Sequence, residues 1–137
     1  MCTVLNMKHP GVFERWRRGE VVYIGREQPY NGVVIPASPL RNNNLLKGQP
    51  RGTTIEKFTR DLKDLIRAGD VEVIRELLRI QRENLDVVCW CKPLACHGDV
   101  VLRAARWLAT APEAGKYRAL VEATIPPSAS TPQCARR

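Results

Sequence analysis

The sequence predicts an α/β fold: a small three-layer domain with a mainly parallel sheet flanked by helices. Three observations point there. β-prone runs alternate with stretches of helical periodicity, the order a parallel sheet with crossover helices requires. The run Leu85–Cys91 holds Val87, Val88, Cys89 and Trp90 consecutively, so it reads as a strand buried on both faces. At 137 residues, 44% hydrophobic and 26% charged, the chain is long enough for one core and too short for two.

The elements follow in order. Thr3–Met7 predicts a short first strand, and Val12–Arg18, with Phe13 and Trp16 among charges, a short amphipathic helix. Val21–Arg26 predicts a strand whose β-formers end in a turn-permitting Gly25. Glu27–Arg51 contains Pro29, Gly32, Pro36, Pro39, Gly48 and Pro50 and the triple Asn42-Asn43-Asn44, which predicts one long loop of the kind that is usually functional. Thr53-Thr54-Ile55-Glu56 has the form of a capping box. Ile55, Phe58, Leu62, Leu65 and Ile66 then recur at helical spacing as far as Ala68-Gly69. Asp70 is placed to cap a second helix striped by Val71, Ile74, Leu77 and Leu78. After the strand Leu85–Cys91, Gly98 or Asp99 opens a helix whose apolar side is Val101, Leu102, Ala105 and Leu108, and Pro112–Ala123 predicts one more. Residues 1–124 thus form the expected single domain, and residues 125–137, rich in Pro, Ser and Thr, an expected disordered tail.

Composition narrows the function classes. No apolar run approaches the ~18 residues of a membrane span, and Met1–Lys8 lacks the basic start and apolar core of a secretory signal, so a cytoplasmic protein without a membrane partner is expected. Five cysteines, three of them crowded within residues 89–96, make a poor disulfide framework; in a reducing compartment such a cluster points to metal or catalysis. The net charge is +8 and unevenly placed: residues 1–51 carry eight basic and three acidic side chains, 52–100 eight and nine, and 101–137 six and two. That distribution suits a phosphate-bearing partner, a nucleotide or a nucleic-acid backbone, and equally serves solubility.

The chemistry concentrates in Cys89-Trp90-Cys91-Lys92-Pro93-Leu94-Ala95-Cys96-His97-Gly98-Asp99-Val100, at the junction of a strand and a helix. Four readings compete for it. Cys89, Cys91, Cys96 and His97 would complete a tetrahedral zinc set, but Cys-x-Cys in a strand faces two ways and adjacent Cys-His suits one ion poorly; no cofactor is therefore the expectation, with zinc the alternative. Cys96 at the helix entrance would be a catalytic thiol, held as thiolate by the helix dipole and His97. The backbone N–H groups of 95–99 would cradle a phosphate, with His97, Gly98 and Asp99 in polar contact. Last, Cys89 and Cys91 would be small core residues. Arg26, ending the Val21–Arg26 strand after Tyr23 and Gly25, would aim a guanidinium at the same crevice, since arginine matches phosphate and carboxylate bidentately; the alternative is a surface arginine. Asn42 would hydrogen-bond a base or sugar, or hold its own turn.

Tyr23-Ile24-Gly25-Arg26, Ser38-Pro39-Leu40 with Asn42, Gly52-Thr53 and the Cys-Trp-Cys…Cys-His-Gly-Asp-Val block together resemble the signature of one domain-of-unknown-function family, found in bacteriophages, plasmids and bacterial genomes. The resemblance spans roughly residues 3–109 and departs from the family pattern at Asn42-Asn43-Asn44, where Asn-Pro-Phe is usual, and at Thr54, where arginine is usual. It implies a small α/β domain and adds Ser38 to the candidate ligand-binding residues Tyr23, Gly25, Arg26, Asn42 and Gly98. It implies no particular reaction.

The expected function is binding of a nucleotide-like, phosphate-bearing small molecule in a cleft between Tyr23–Arg26 and Cys96–Asp99. An enzymatic form would be a nucleotide- or nucleoside-processing hydrolase or transferase, with Cys96, His97 and Asp99 as its catalytic residues and Arg26 as anion clamp. The alternatives are a basic nucleic-acid-associated module and a phage or plasmid accessory protein that binds a host protein. Two structural expectations follow: Tyr23–Arg26 and Cys89–Cys91 lie on neighbouring strands, and Arg26 and His97 open onto one cleft. If His97 and Asp99 serve a ligand, their loss spares the fold; a buried, hydrogen-bonded His97 would predict the reverse.

Overall fold

The computed structural model describes residues 2–44, 51–90 and 96–124. A parallel sheet of three strands, β1 (Val4–Asn6), β2 (Val21–Tyr23) and β5 (Asp86–Cys89), runs in the order β1-β5-β2. β5 is central and pairs parallel on both sides, Val4 with Val87 and Tyr23 with Val88, as its continuous apolar run predicted. Helix α1 (Val12–Arg17) connects β1 to β2. On the second arm of the chain, α2 (Arg51–Arg67), α3 (Val71–Arg82), α4 (Gly98–Thr110) and α5 (Gly115–Thr124) follow, with a single 3-10 turn at Pro112–Ala114 before α5.

Strand alternation sorts the core into two halves. Val22, Ile24, Val87 and Cys89 face the layer of α2–α5, where they meet Phe58, Leu62, Ile74, Leu77, Val101, Ala105 and Leu108. Val21, Tyr23 and Val88 face the other way, onto Met7, Val12 and Phe13 of the α1 side and Ile35. The period of two in the strands thus requires helices on both faces, which gives the three layers. Each fully buried Ile or Leu here contributes about 1.5–3 kcal/mol relative to exposure.

Two local expectations are corrected. Residues 27–51 are not one loop: β3 (Gln28–Tyr30) and β4 (Val33–Ile35) form an antiparallel hairpin, Tyr30 opposite Val33. Asn31 and Gly32 take φ of 51° and 78°, the left-handed pair that a two-residue Asn-Gly hairpin turn demands; Pro29 is tolerated because the two-stranded sheet leaves open edges. The capping box at Thr53–Glu56 does not start a helix either. α2 is already formed at Arg51, so Thr53 lies inside it, and Thr54 is a buried side chain. The cap of α3 is as expected: Val73 N donates to Asp70 Oδ1 at 3.2 Å. Among the described residues, no helix is long and apolar enough to cross a membrane. The predicted tail, residues 125–137, lies outside the described residues.

Candidate functional site

The turn that ends β2 is built around Gly25. Tyr23 folds back so that its ring occupies the space where a Gly25 side chain would be; an added Cβ would lie 2.5 Å from Cζ of that ring. The Tyr23 hydroxyl donates to the Arg26 carbonyl at 2.5 Å and accepts from Trp90 Nε1 at 2.8 Å. Burial pushes the Tyr23 phenol above its ordinary value, while the Trp90 hydrogen bond opposes it, so the hydroxyl stays a donor at neutral pH. The chain leaves this turn with the Arg26 side chain exposed. Tyr23 and Trp90 continue an edge-to-face series through Tyr30 to Phe13, whose ring is tilted against Trp16, with neighbouring ring centroids 5.1–6.4 Å apart.

The entrance of α4 lies against the same strand ends. Ile24 N donates to Val88 O at 3.0 Å, extending the pairing of β2 with β5 by one residue. His97 Nε2 sits 2.8 Å from Ile24 O. A carbonyl only accepts, so Nε2 carries a hydrogen, and in the neutral tautomer Nδ1 is then the nitrogen without one. Nδ1 faces Cys96 Sγ at 3.8 Å, Gly98 N donates to the same sulfur at 3.4 Å, and Cys89 Sγ lies 2.7 Å from it. Phe58 of α2 meets the imidazole edge-on, ring centroids 4.8 Å apart. Gly98 has no room for a side chain, since a Cβ would come within 2.7 Å of Val4 Cγ1 and 3.3 Å of Ile24 Cδ1. The α4 N-terminus is thereby packed across the tip of β5 onto both outer strands.

These contacts place the sequence candidates. The Tyr23 and Cys89 strand ends are neighbours, as expected. Arg26 and Asp99 are exposed, Asp99 in the first turn of α4. His97 turns inward and is only 7% exposed; it braces the α4 entrance instead of opening beside Arg26. Cys96 is buried behind it. Ser38 is buried too: its N–H donates to Gly25 O at 2.9 Å and its hydroxyl oxygen accepts from Leu40 N at 3.0 Å. Asn42 Oδ1 accepts from Asn44 N and Nδ2, at 2.9 and 3.0 Å, which is the local turn its residue type favours. Phe58 and Trp90 complete the site. Phe58 had shown only as one tooth of a helical stripe, and nothing in the sequence marks it as the partner of His97.

Among the described residues, no group of three or more His, Cys, Asp or Glu side chains is arranged to hold a metal ion; Cys91, one of the four zinc candidates, lies outside them. A cavity of about 240 Å³ adjoins the Pro39–Asn43 loop and Phe58 but carries Asp61, Asp70 and Glu72 in its wall, a poor lining for an anion. A larger one of about 540 Å³ lies between α2, α4 and α5, where Leu62 and Val100 are rimmed by Lys63, Arg67, Arg103 and Lys116.

The chain finds no match among curated proteins or among solved structures. One family matches, described as a domain of unknown function (DUF4326), over residues 7–107. That span takes in the Tyr23–Arg26 turn, the Ser38–Asn42 loop, Phe58 and the whole α4 entrance, and over it the chain belongs to the DUF4326 family.

Proposed function

We propose that the protein binds a nucleotide-like, phosphate-bearing small molecule at the carboxyl ends of β2 and β5, between Tyr23–Arg26 and Cys96–Asp99. The observation that carries this reading is the hydrogen bond from His97 to Ile24 O. It ties the first turn of α4 to the end of β2, and Arg26 and Asp99, each two residues further along the chain from Ile24 and His97, are exposed. The carboxyl edge of a parallel sheet, beside a helix N-terminus, is where α/β domains bind ligands.

In this reading Arg26 clamps the phosphate, a role its planar fork fits. Asp99 repels phosphate and so faces the hydroxyl or base end, as an orienting group or, in an enzymatic form, as the general base of a nucleotide hydrolase or transferase. His97 and Cys96 form the wall behind them. The setting that fits such an activity is cytoplasmic, in phage or plasmid nucleotide metabolism or defence.

Thermal unfolding with a panel of nucleoside mono-, di- and triphosphates tests the proposal. A bound nucleotide at a hundred times its Kd adds about 2.7 kcal/mol of stability. Arg26→Ala should abolish that gain and leave the unliganded melting temperature almost unchanged, because the Arg26 side chain is exposed and its carbonyl still receives Tyr23. A panel without effect, or a gain that survives in both Arg26→Ala and Asp99→Asn, overturns it. Oligonucleotide binding with steep salt dependence, and no effect of free nucleotides, would establish the nucleic-acid reading in its place.

A further inference from the structure

We infer that Cys89 and Cys96 are a redox-active thiol pair, oxidised at Cys96 by a hydroperoxide and closed to a disulfide by Cys89. The two residues approach from different elements. Cys89 is the last residue of β5 and Cys96 lies one residue before the His97 cap of α4. Their sulfurs are in contact, 2.7 Å apart, so the fold already brings them within reach of a bond.

Cys96 has the surroundings of an attacking thiolate. Gly98 N–H donates to its sulfur, the N-terminal end of the 13-residue α4 favours negative charge there, and His97 Nδ1 faces it. Because Ile24 O holds the hydrogen on Nε2, the nitrogen turned toward Cys96 is the one able to accept its proton. Once protonated, the imidazolium donates to Ile24 O from one side and to the thiolate from the other. Cys89, whose sulfur already lies against that of Cys96, takes the resolving role.

Burial selects the oxidant. Cys89 and Cys96 are 1% and 3% exposed, which excludes a peptide disulfide unless the core opens and leaves the smallest hydroperoxide, hydrogen peroxide, as the oxidant of choice. In the first step the Cys96 thiolate attacks the distal oxygen of hydrogen peroxide. The S–O bond forms, the O–O bond breaks, and the departing hydroxide leaves as water with the proton that His97 had taken from Cys96. In the second step Cys89 sulfur attacks the sulfenic sulfur, the S–S bond forms, the S–O bond breaks, and the hydroxyl leaves as water with the Cys89 proton. Two thiols and one hydrogen peroxide give one disulfide and two waters.

The test uses the full chain without nucleotide, so it succeeds or fails independently of the ligand-binding proposal. The reduced protein is treated with one equivalent of hydrogen peroxide, alkylated and digested with chymotrypsin. Cleavage after Trp90 and Leu94 separates Cys89, Cys91 and Cys96, so mass spectrometry reads the pairing directly. The expected result is a Cys89–Cys96 disulfide that dithiothreitol reverses. In Cys89→Ser the reaction should stop at a Cys96 sulfenic acid that dimedone traps. In His97→Gln oxidation of Cys96 should slow roughly tenfold or more, through loss of the proton acceptor. A Cys91–Cys96 pairing, both thiols still alkylated after treatment, or a bound metal in the native mass spectrum that shields them, overturns the inference.

Discussion

Gly25 has no substitute because the Tyr23 ring lies where its side chain would be, and the same ring fixes the carbonyl of Arg26. Tyr-x-Gly-Arg is therefore one device: the glycine admits the tyrosine, and the tyrosine sets the direction in which the arginine leaves the strand. Gly25→Ala should destabilise by about 1–3 kcal/mol or more through overpacking, measurable by urea unfolding. Tyr23 adds a pH signature. Burial raises its phenol above the ordinary value of 10.0, so above that pH the folded state holds the proton more tightly than the unfolded chain does. The stability this contributes is intact below about pH 10 and is lost as pH rises through the folded-state value. Tyr23→Phe leaves Trp90 Nε1 and Arg26 O without this partner, at a cost of about 1–3 kcal/mol at pH 8. The gap between it and the wild type should narrow above pH 10. A constant gap from pH 8 to 11 would mean that the hydroxyl does not carry the effect.

At the scale of elements, the caps show which local signals survive packing. Asp70→Ala should cost about 0.5–2 kcal/mol in urea unfolding, the usual weight of an N-cap, because the Val73 N–H it satisfies opens α3, whose stripe lies in the core. Sequence revealed this helix and its cap because apolar period and capping residue agree. It also revealed β5, since four consecutive apolar residues suit only a strand covered on both faces. Thr53–Glu56 carried a capping pattern without being a cap, because α2 starts further upstream and Thr54 turns into the core. The reading of 27–51 as one loop rested on its prolines and glycines and left out the turn pair Asn31-Gly32; Pro29 disrupts nothing in a strand with an open edge. Much of the candidate site was legible as well: Tyr23, Gly25 and the Cys-His-Gly block do converge. Inward or outward orientation was not legible. It depends on which carbonyl a ring meets, and Ile24 O is 73 residues from His97 in the chain.

For the whole molecule, that long-range hydrogen bond is what joins the two arms of the fold. β1, α1 and β2 come from the first arm, and α2–α5 and β5 from the second. Pairing of β5 with β1 and β2 joins them along the sheet, and His97 joins them again at its carboxyl edge, gripped between Ile24 O and the Phe58 ring. Burial places His97 under the prediction made for a structural histidine, and leaves Asp99, exposed in the first turn of α4, under the prediction made for a ligand contact. His97→Ala removes the donor to a buried carbonyl and leaves a void against Phe58, so it should destabilise by about 1–3 kcal/mol for the orphaned group, with the void adding to that. His97→Gln, whose amide nitrogen extends about as far as Nε2, should restore part of the loss by donating to Ile24 O. Asp99→Asn should stay close to the wild type. Urea unfolding of the three variants decides it, supported by amide hydrogen exchange at Val101, whose N–H bonds to the His97 carbonyl in the first turn of α4: exchange there should quicken in His97→Ala and recover in His97→Gln. If His97→Ala matched the wild type in both measurements, the α4 entrance would be held without the histidine, by contacts such as the packing of Gly98 against Val4 and Ile24, and the exposed position of Asp99 in the first turn of α4 would not depend on it.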